Sequence, residues 1–218
     1  MVIVVGGMIG LGKTTISEKL GRALNTQVFY ENVEGNDILP LFYKASPEEQ
    51  AKYRYPFLLQ LEFLNSRFTA IKRALYDDNN VMDRSIYEDW YFAKKNQDLG
   101  RISELEMRIY DKLLNNMMEE LKSLPKKSPD LMVYLRGSFE TVLDHIRQRG
   151  RSFEQGDDLT DYYHFLWKDY DQWVYDCYKA SPVITIDMDQ TDVVHDPLSW
   201  DRTFKAITDK LATIRGKN

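Results

Sequence analysis

Residues Gly7 to Thr14 read Gly-Met-Ile-Gly-Leu-Gly-Lys-Thr, a full match to G-x-x-x-x-G-K-T, directly behind the apolar run Val2-Ile3-Val4-Val5. A buried strand has to enter such a loop and a helix has to leave it. The chain supplies both, since a helical pattern starts at about Lys13 (Lys-Thr-Thr-Ile-Ser-Glu-Lys-Leu). Glycines at 7, 10 and 12 let backbone N–H groups turn toward a polyphosphate. The helix N-terminus adds partial positive charge, Lys13 adds a full one, and the Thr14 hydroxyl can ligate Mg²⁺. The donor-binding candidates are therefore Gly7, Met8, Ile9, Gly10, Leu11, Gly12, Lys13, Thr14 and Thr15. A chance Gly-rich turn would need neither the strand nor the helix. The expectation is a nucleoside triphosphate, ATP or GTP, with Mg²⁺.

Further apolar runs predict strands over 26–30, 130–135 and 182–187, with a short, weaker one over 80–83. Helical spacing of apolar residues runs over 57–76 and 102–124, and an aromatic-rich helix is predicted over 159–178. Pro56 suits a helix start. Strands alternating with helices argue for a five-stranded parallel sheet covered on both faces. Residues 123–130 read as a loop. No repeat, low-complexity tract or linker divides the chain, so one domain over 1–218 is expected.

With 218 residues and 43% hydrophobic content the chain can fill one core. A net charge of −5 argues against a broad nucleic-acid-binding face. One cysteine, Cys177, permits no internal disulfide, which fits a reducing cytoplasm. Its surroundings, Trp-Val-Tyr-Asp-Cys-Tyr, read as a packed helix face more than as a thiol site. No apolar run approaches a membrane span.

In a parallel sheet the C-terminal strand ends surround the ligand crevice. Glu31, after the second strand, would face the phosphates there, where a carboxylate makes sense as a general base toward a substrate hydroxyl; the alternative is an exposed loop glutamate. Asp83 and Arg84 follow the short strand. An Asp there can partner Mg²⁺ and the Arg can stabilise transferring charge; the alternative is an ordinary surface pair. Gln60 and Arg67, seven apart, share one face of a helix with Phe63 between them. They suggest a polar pocket for a planar ring, a Gln amide pairing with an adenine-type edge; the alternative is a boundary Gln and an Arg snorkelling to water. Arg147, Arg149 and Arg151 form a basic cluster after a helix that begins near Ser138. They could close over a triphosphate, or simply mark a positive helix C-terminus.

Taken together, GGMIGLGKTT, FYENV, LPLFYK, the Gln60/Arg67 pair, DRSIYED and RGRSFEQ resemble the deoxynucleoside kinase family. They occur in the family's order, in a resemblance spanning roughly residues 1–190. The resemblance is nearest to the bacterial deoxyadenosine/deoxyguanosine kinases. It implies a P-loop fold with strand order 2-3-1-4-5, an arginine-rich lid, and transfer of phosphate from ATP to a deoxynucleoside 5′-OH. It further implies Glu31 as base, Arg84 on the 5′ oxygen, and Asp83 at the metal position. Tyr43 and Glu154 would grip the sugar 3′-OH. Gln60 would read the base, with Arg67 and Asp89 lining its pocket, and Arg149 and Arg151 would be lid arginines. The Tyr43–Gln60 interval is longer than in animal relatives, and His145 stands near where some members carry another lid arginine.

Two rivals remain open at this point. A thymidylate-kinase-like enzyme shares the loop, a DR motif and a basic lid, but its monophosphate acceptor needs another cation and no base. A non-catalytic nucleotide-binding subunit would not need Lys13, Glu31 and Arg84 together. The expected substrate is deoxyadenosine, with deoxyguanosine or deoxycytidine tolerated. Surplus apolar residues in 57–76 and 102–124, Met107, Met117 and Met118 among them, suggest a homodimer, or a heterodimer with a related subunit.

Overall fold

The apolar run at the N-terminus becomes the middle strand of a sheet, β1 (Val2–Gly7), buried at every position. In the computed structural model, which describes residues 1–31, 33, 35–76, 79–124, 128–156 and 159–216, four strands flank it. They are β2 (Gln27–Phe29), β3 (Asn80–Asp83), β4 (Leu131–Arg136) and β5 (Val183–Asp187). All pairings are parallel and the order is β2-β3-β1-β4-β5, as expected. The short 80–83 run, weak as a sequence signal, is a fully buried strand beside β1.

Strand alternation divides the core. Ile3 and Val5 point into one cluster, Val2 and Val4 into the other. The first cluster is covered by α1 (Lys13–Leu24), α7 (Phe139–Arg149) and α10 (Pro197–Arg215). The second is covered by α4 (Tyr55–Tyr76), α5 (Ile86–Asp98) and α6 (Glu104–Leu121). Short helices α2 (Ile38–Lys44) and α3 (Pro47–Tyr53) connect β2 to α4. Helix α4 starts one residue before Pro56, and α6 starts at a Ser103/Glu106 capping box.

One expected helix is two. The 159–178 stretch forms α8 (Leu159–Trp167) and α9 (Tyr170–Asp176). Asp169 leaves helical geometry at φ −109°, ψ 4°. Its carboxylate lies 2.5 Å from Lys95 Nζ on α5, a contact made at the break. Residues 125–127 of the expected loop and Asn32 of the FYENV motif lie outside the described residues. Met107, expected on an apolar outer face, is buried in the core.

Gly21 shows how tightly α1 lies on the sheet. A Cβ there would come 2.3 Å from Val28 Cγ2, a short, stiff side chain that cannot swing aside. Gly21→Ala should lower stability by about 1–3 kcal/mol through overpacking, measured as a lowered midpoint in thermal or urea unfolding. An unchanged midpoint would mean that β2 yields freely.

Candidate active site

The parallel register places the chemistry. Val5 pairs with Asp83, and Arg84 N–H donates to Val5 O at 2.9 Å, so the Asp-Arg-Ser turn ends level with the phosphate loop. The loop needs its glycines. Gly10 sits at φ 88° and Gly12 at φ 79°, and a Cβ on Gly10 would come 2.8 Å from Val142 O. Lys13, buried, donates to Met8 O at 2.9 Å. Burial lowers its pKa to about 7; Arg84 adds to this, and Asp83, Glu31 and Glu88 oppose it. Polyphosphate charge at the loop would favour the ammonium form.

An open cavity of about 1380 Å³ runs from the phosphate loop to α4 and the lid. Glu31, Tyr43, Gln60, Phe63, Asp83, Arg84, Asp89, Arg149, Arg151 and Glu154 all line it, with Lys13 and Thr14. Glu31 Oε1 lies 2.9 Å from Arg84 Nε and 3.0 Å from Arg67 Nη2, and its side chain is 20% exposed. Burial pushes the Glu31 pKa up, but Arg84, Arg67 and Lys13 outweigh it and hold the group at about 2. Arg67 Nε pairs with Asp89 Oδ2 at 2.9 Å, and its Nη1 donates to Asp83 O at 2.6 Å.

Thr14 Oγ1 donates to Asp83 Oδ2 at 2.6 Å, while Asp83 Oδ1 is buried with no hydrogen-bond partner among the described residues. Burial raises the Asp83 pKa, with Lys13 pulling it down. No group of three or more His, Cys, Asp or Glu could hold a metal among the described residues. One hydroxyl and one carboxylate suit Mg²⁺, which keeps waters and phosphate oxygens as its other ligands. Gln60 is 3% exposed, and its Oε1 is also buried with no partner among the described residues. Tyr43 stacks on Phe153, ring centroids 5.8 Å apart. Glu154 is buried and paired with Arg149 at 2.5 Å and Arg151 at 3.4 Å.

Several expected positions fall elsewhere. In the loop, Gly7 donates its N–H to Glu88 Oε1 and the Met8 and Leu11 side chains pack in the core, so none of the three lines the cavity, and neither do Arg147 and Arg67. Arg147 is on the outer surface of α7, paired with Asp144 at 3.0 Å, and does not line the cavity. Arg67 stands behind the cavity wall, engaged by Asp89, Glu31 and the Asp83 carbonyl, so Asp89 alone of that pair faces in. Sequence reasoning also missed residues that line the cavity. Phe92, one helical turn after Asp89, was findable from α-spacing, and it carries the Arg84 guanidinium 4.7 Å over its ring. Residues 188–195 were findable as the C-terminal end of β5. His145 also lines the cavity, its Nδ1 2.9 Å from Gly10 O.

The chain is similar to known proteins over nearly its whole length. Residues 3–212 match the family described as deoxynucleoside kinase. A deoxyguanosine kinase of Lactobacillus johnsonii is 48% identical over 88% of this chain and 84% of its own length. A deoxyadenosine kinase of Lactobacillus acidophilus is 44% identical over 98% of this chain and 97% of its own. Among solved structures, deoxyadenosine kinase from M. mycoides with bound dATP superposes with a TM-score of 0.77 at 29% identity, covering 97% of this chain and all of that one. The same enzyme with the products dCMP and dCDP gives 0.78 at 28% identity over 98% of this chain.

Proposed function

The chain belongs to the deoxynucleoside kinase family, and from that premise we propose that it is a deoxypurine nucleoside kinase worked by Glu31, Arg84 and the phosphate loop. It transfers a phosphoryl group from ATP to the 5′-OH of a deoxynucleoside, a step of nucleotide salvage. Lys13 and the loop amides hold the donor phosphates. Thr14 and Asp83 would hold Mg²⁺, which would supply positive charge against the donor phosphates. Glu31 accepts the 5′-OH proton. Arg84 steadies Glu31 and the 5′ oxygen, and Arg149 and Arg151 supply donors to the transferring group from the lid. Tyr43 and Glu154 meet the sugar, favouring deoxyribose where the ring packs closely.

The observation that carries base selection is Gln60, a buried residue that lines the cavity and whose Oε1 has no hydrogen-bond partner among the described residues. Adenine offers an exocyclic amine beside a ring acceptor, matching a Gln amide at both ends. Phe63 supplies an aromatic wall and Asp89 a second polar contact. We place deoxyadenosine first, with deoxyguanosine or deoxycytidine tolerated. Deoxyguanosine is the second reading, because the L. johnsonii relative at 48% identity is a deoxyguanosine kinase. Phosphorylation of deoxyadenosine, deoxyguanosine, deoxycytidine and thymidine, side by side with ATP, tests this. Deoxyadenosine should give the highest kcat/KM, and thymidine as best substrate would overturn the pocket reading. Gln60→Ala should raise KM for deoxyadenosine more than it lowers kcat, leaving about 1–3 kcal/mol of mispaired base edge.

A dimer is part of the same proposal. Leu105, Ile109 and Leu113 stand at i, i+4 and i+8 on α6, exposed by 60%, 43% and 40%, with Leu58 of α4 also exposed. Sedimentation at micromolar concentration should give twice the chain mass; a monomer alone would remove this part. Among the described residues no helix is long and apolar enough to cross a membrane, and we place the enzyme in the cytoplasm.

A further inference from the structure

Glu88 makes contacts that a helix cap does not require. Its carboxylate is fully buried and does not line the cavity. Oε2 accepts from Ser85 N–H at 2.8 Å, and Glu88 N–H donates to Ser85 Oγ at 3.3 Å, the ordinary capping box of α5; Oε2 also accepts from the Ser85 hydroxyl at 2.9 Å. Oε1 accepts from Gly7 N–H at 2.9 Å and from the Tyr170 hydroxyl at 2.5 Å, with Arg84 Nη1 at 3.5 Å. Two other boxes in this chain show the contrast. Glu49 of the Ser46 box is exposed, and Glu106 of the Ser103 box pairs with the half-exposed Arg54. Only the Ser85 box among these three reaches the root of the phosphate loop.

The residue beside it is strained. Arg84 sits at φ 76°, left-handed backbone that a bulky residue keeps only where its surroundings over-determine it. Arg84 N–H is held by Val5 O on one side, and the next amide, Ser85 N–H, is held by Glu88 on the other. The turn so held puts Arg84 Nε 2.9 Å from Glu31 Oε1.

We propose that Glu88 is a positioning residue for phosphoryl transfer: it locks the strained Arg84 turn against the phosphate loop, so that the guanidinium meets Glu31 and the 5′ oxygen. The proposal rests on reading Glu31 and Arg84 as the reacting pair. Glutamine cannot replace the carboxylate, because both oxygens receive backbone N–H groups and an amide would set its own N–H against one of them.

The test is a double-mutant cycle on kcat, counted per folded site, with Glu88→Gln, Arg84→Lys and the pair. Glu88→Gln should lower kcat by about 10²-fold, the scale of a small misplacement at the reacting atoms, and leave KM for the nucleoside little changed. In the Arg84→Lys background it should add little further loss. Tyr170→Phe, a milder change, should give a smaller kcat loss with the same dependence on Arg84. An equal fold-loss in both backgrounds, or a lowered melting midpoint with parental kcat, overturns the positioning role. Parental kcat in Arg84→Lys alone overturns the reacting-pair reading, and this proposal with it.

Discussion

Glu31→Gln should keep nucleoside binding and lose about 10²–10⁴-fold in kcat, the usual contribution of a general base. The amide is nearly isosteric. Its oxygen can keep the place of Oε1, between Arg84 Nε at 2.9 Å and Arg67 Nη2 at 3.0 Å. Its nitrogen then faces the cavity and can donate to the 5′-OH, but it cannot take the proton. The native carboxylate, held at about 2 by its arginines, is itself a weak base. Such a group does not strip a neutral alcohol in advance. It accepts the proton as the new O–P bond forms, which suits a loose transition state with little early nucleophile activation. Single-turnover rates together with equilibrium nucleoside affinity check this, and a near-parental rate would remove Glu31 from the chemistry.

The sheet and phosphate loop were legible because each rests on a local pattern: continuous apolar runs for strands buried on both faces, and glycine spacing for the loop. Asp83 and Arg84 were legible from their place at a strand end. Arg67 was legible as a polar residue on an apolar stripe, but its direction was not. Helical spacing shows which residues share a face, and not that a long side chain will lie behind the cavity wall, held by two carboxylates and a strand-end carbonyl. Arg147 was misassigned for a related reason: Arg147 and Arg149 both fall in the last turn of α7, yet only Arg149 turns inward toward Glu154. Glu88 was hidden because a capping box explains Ser85-x-x-Glu88 in full. Its third and fourth partners, Gly7 and Tyr170, lie 81 and 82 residues away. The break between α8 and α9 falls between aromatic residues that fit one helical stripe, so periodicity could not show it.

Arg67→Met should have the largest effect on stability, a loss of about 3–5 kcal/mol at neutral pH, as expected when one partner of a buried ion pair is removed. The guanidinium joins three elements: Asp89 on α5, the carbonyl that ends β3, and Glu31 beyond β2. Methionine fills much of the space and meets none of those oxygens. Asp89 already has its pKa raised by burial, with Arg67 pulling the other way. Without Arg67 its folded pKa rises further above the unfolded value, so the folded variant binds the extra proton. The variant's deficit should therefore shrink as pH falls through that raised pKa. Glu31 behaves oppositely. Its folded pKa lies below the ordinary 4.5, so its ion pairs stabilise the parent above that pH and fade as pH drops toward 2. Losing one of its two arginines raises its pKa, and the acid limb of kcat/KM should move to higher pH. Urea unfolding at several pH values and a pH–rate profile read the two effects separately. Adding Asp89→Leu to Arg67→Met should recover part of the stability, because no carboxylate is then buried unpaired at that position, while KM for the nucleoside should rise, because Asp89 lines the cavity. Parental stability in Arg67→Met, with an unmoved acid limb, would show that this buried cluster does not support the site.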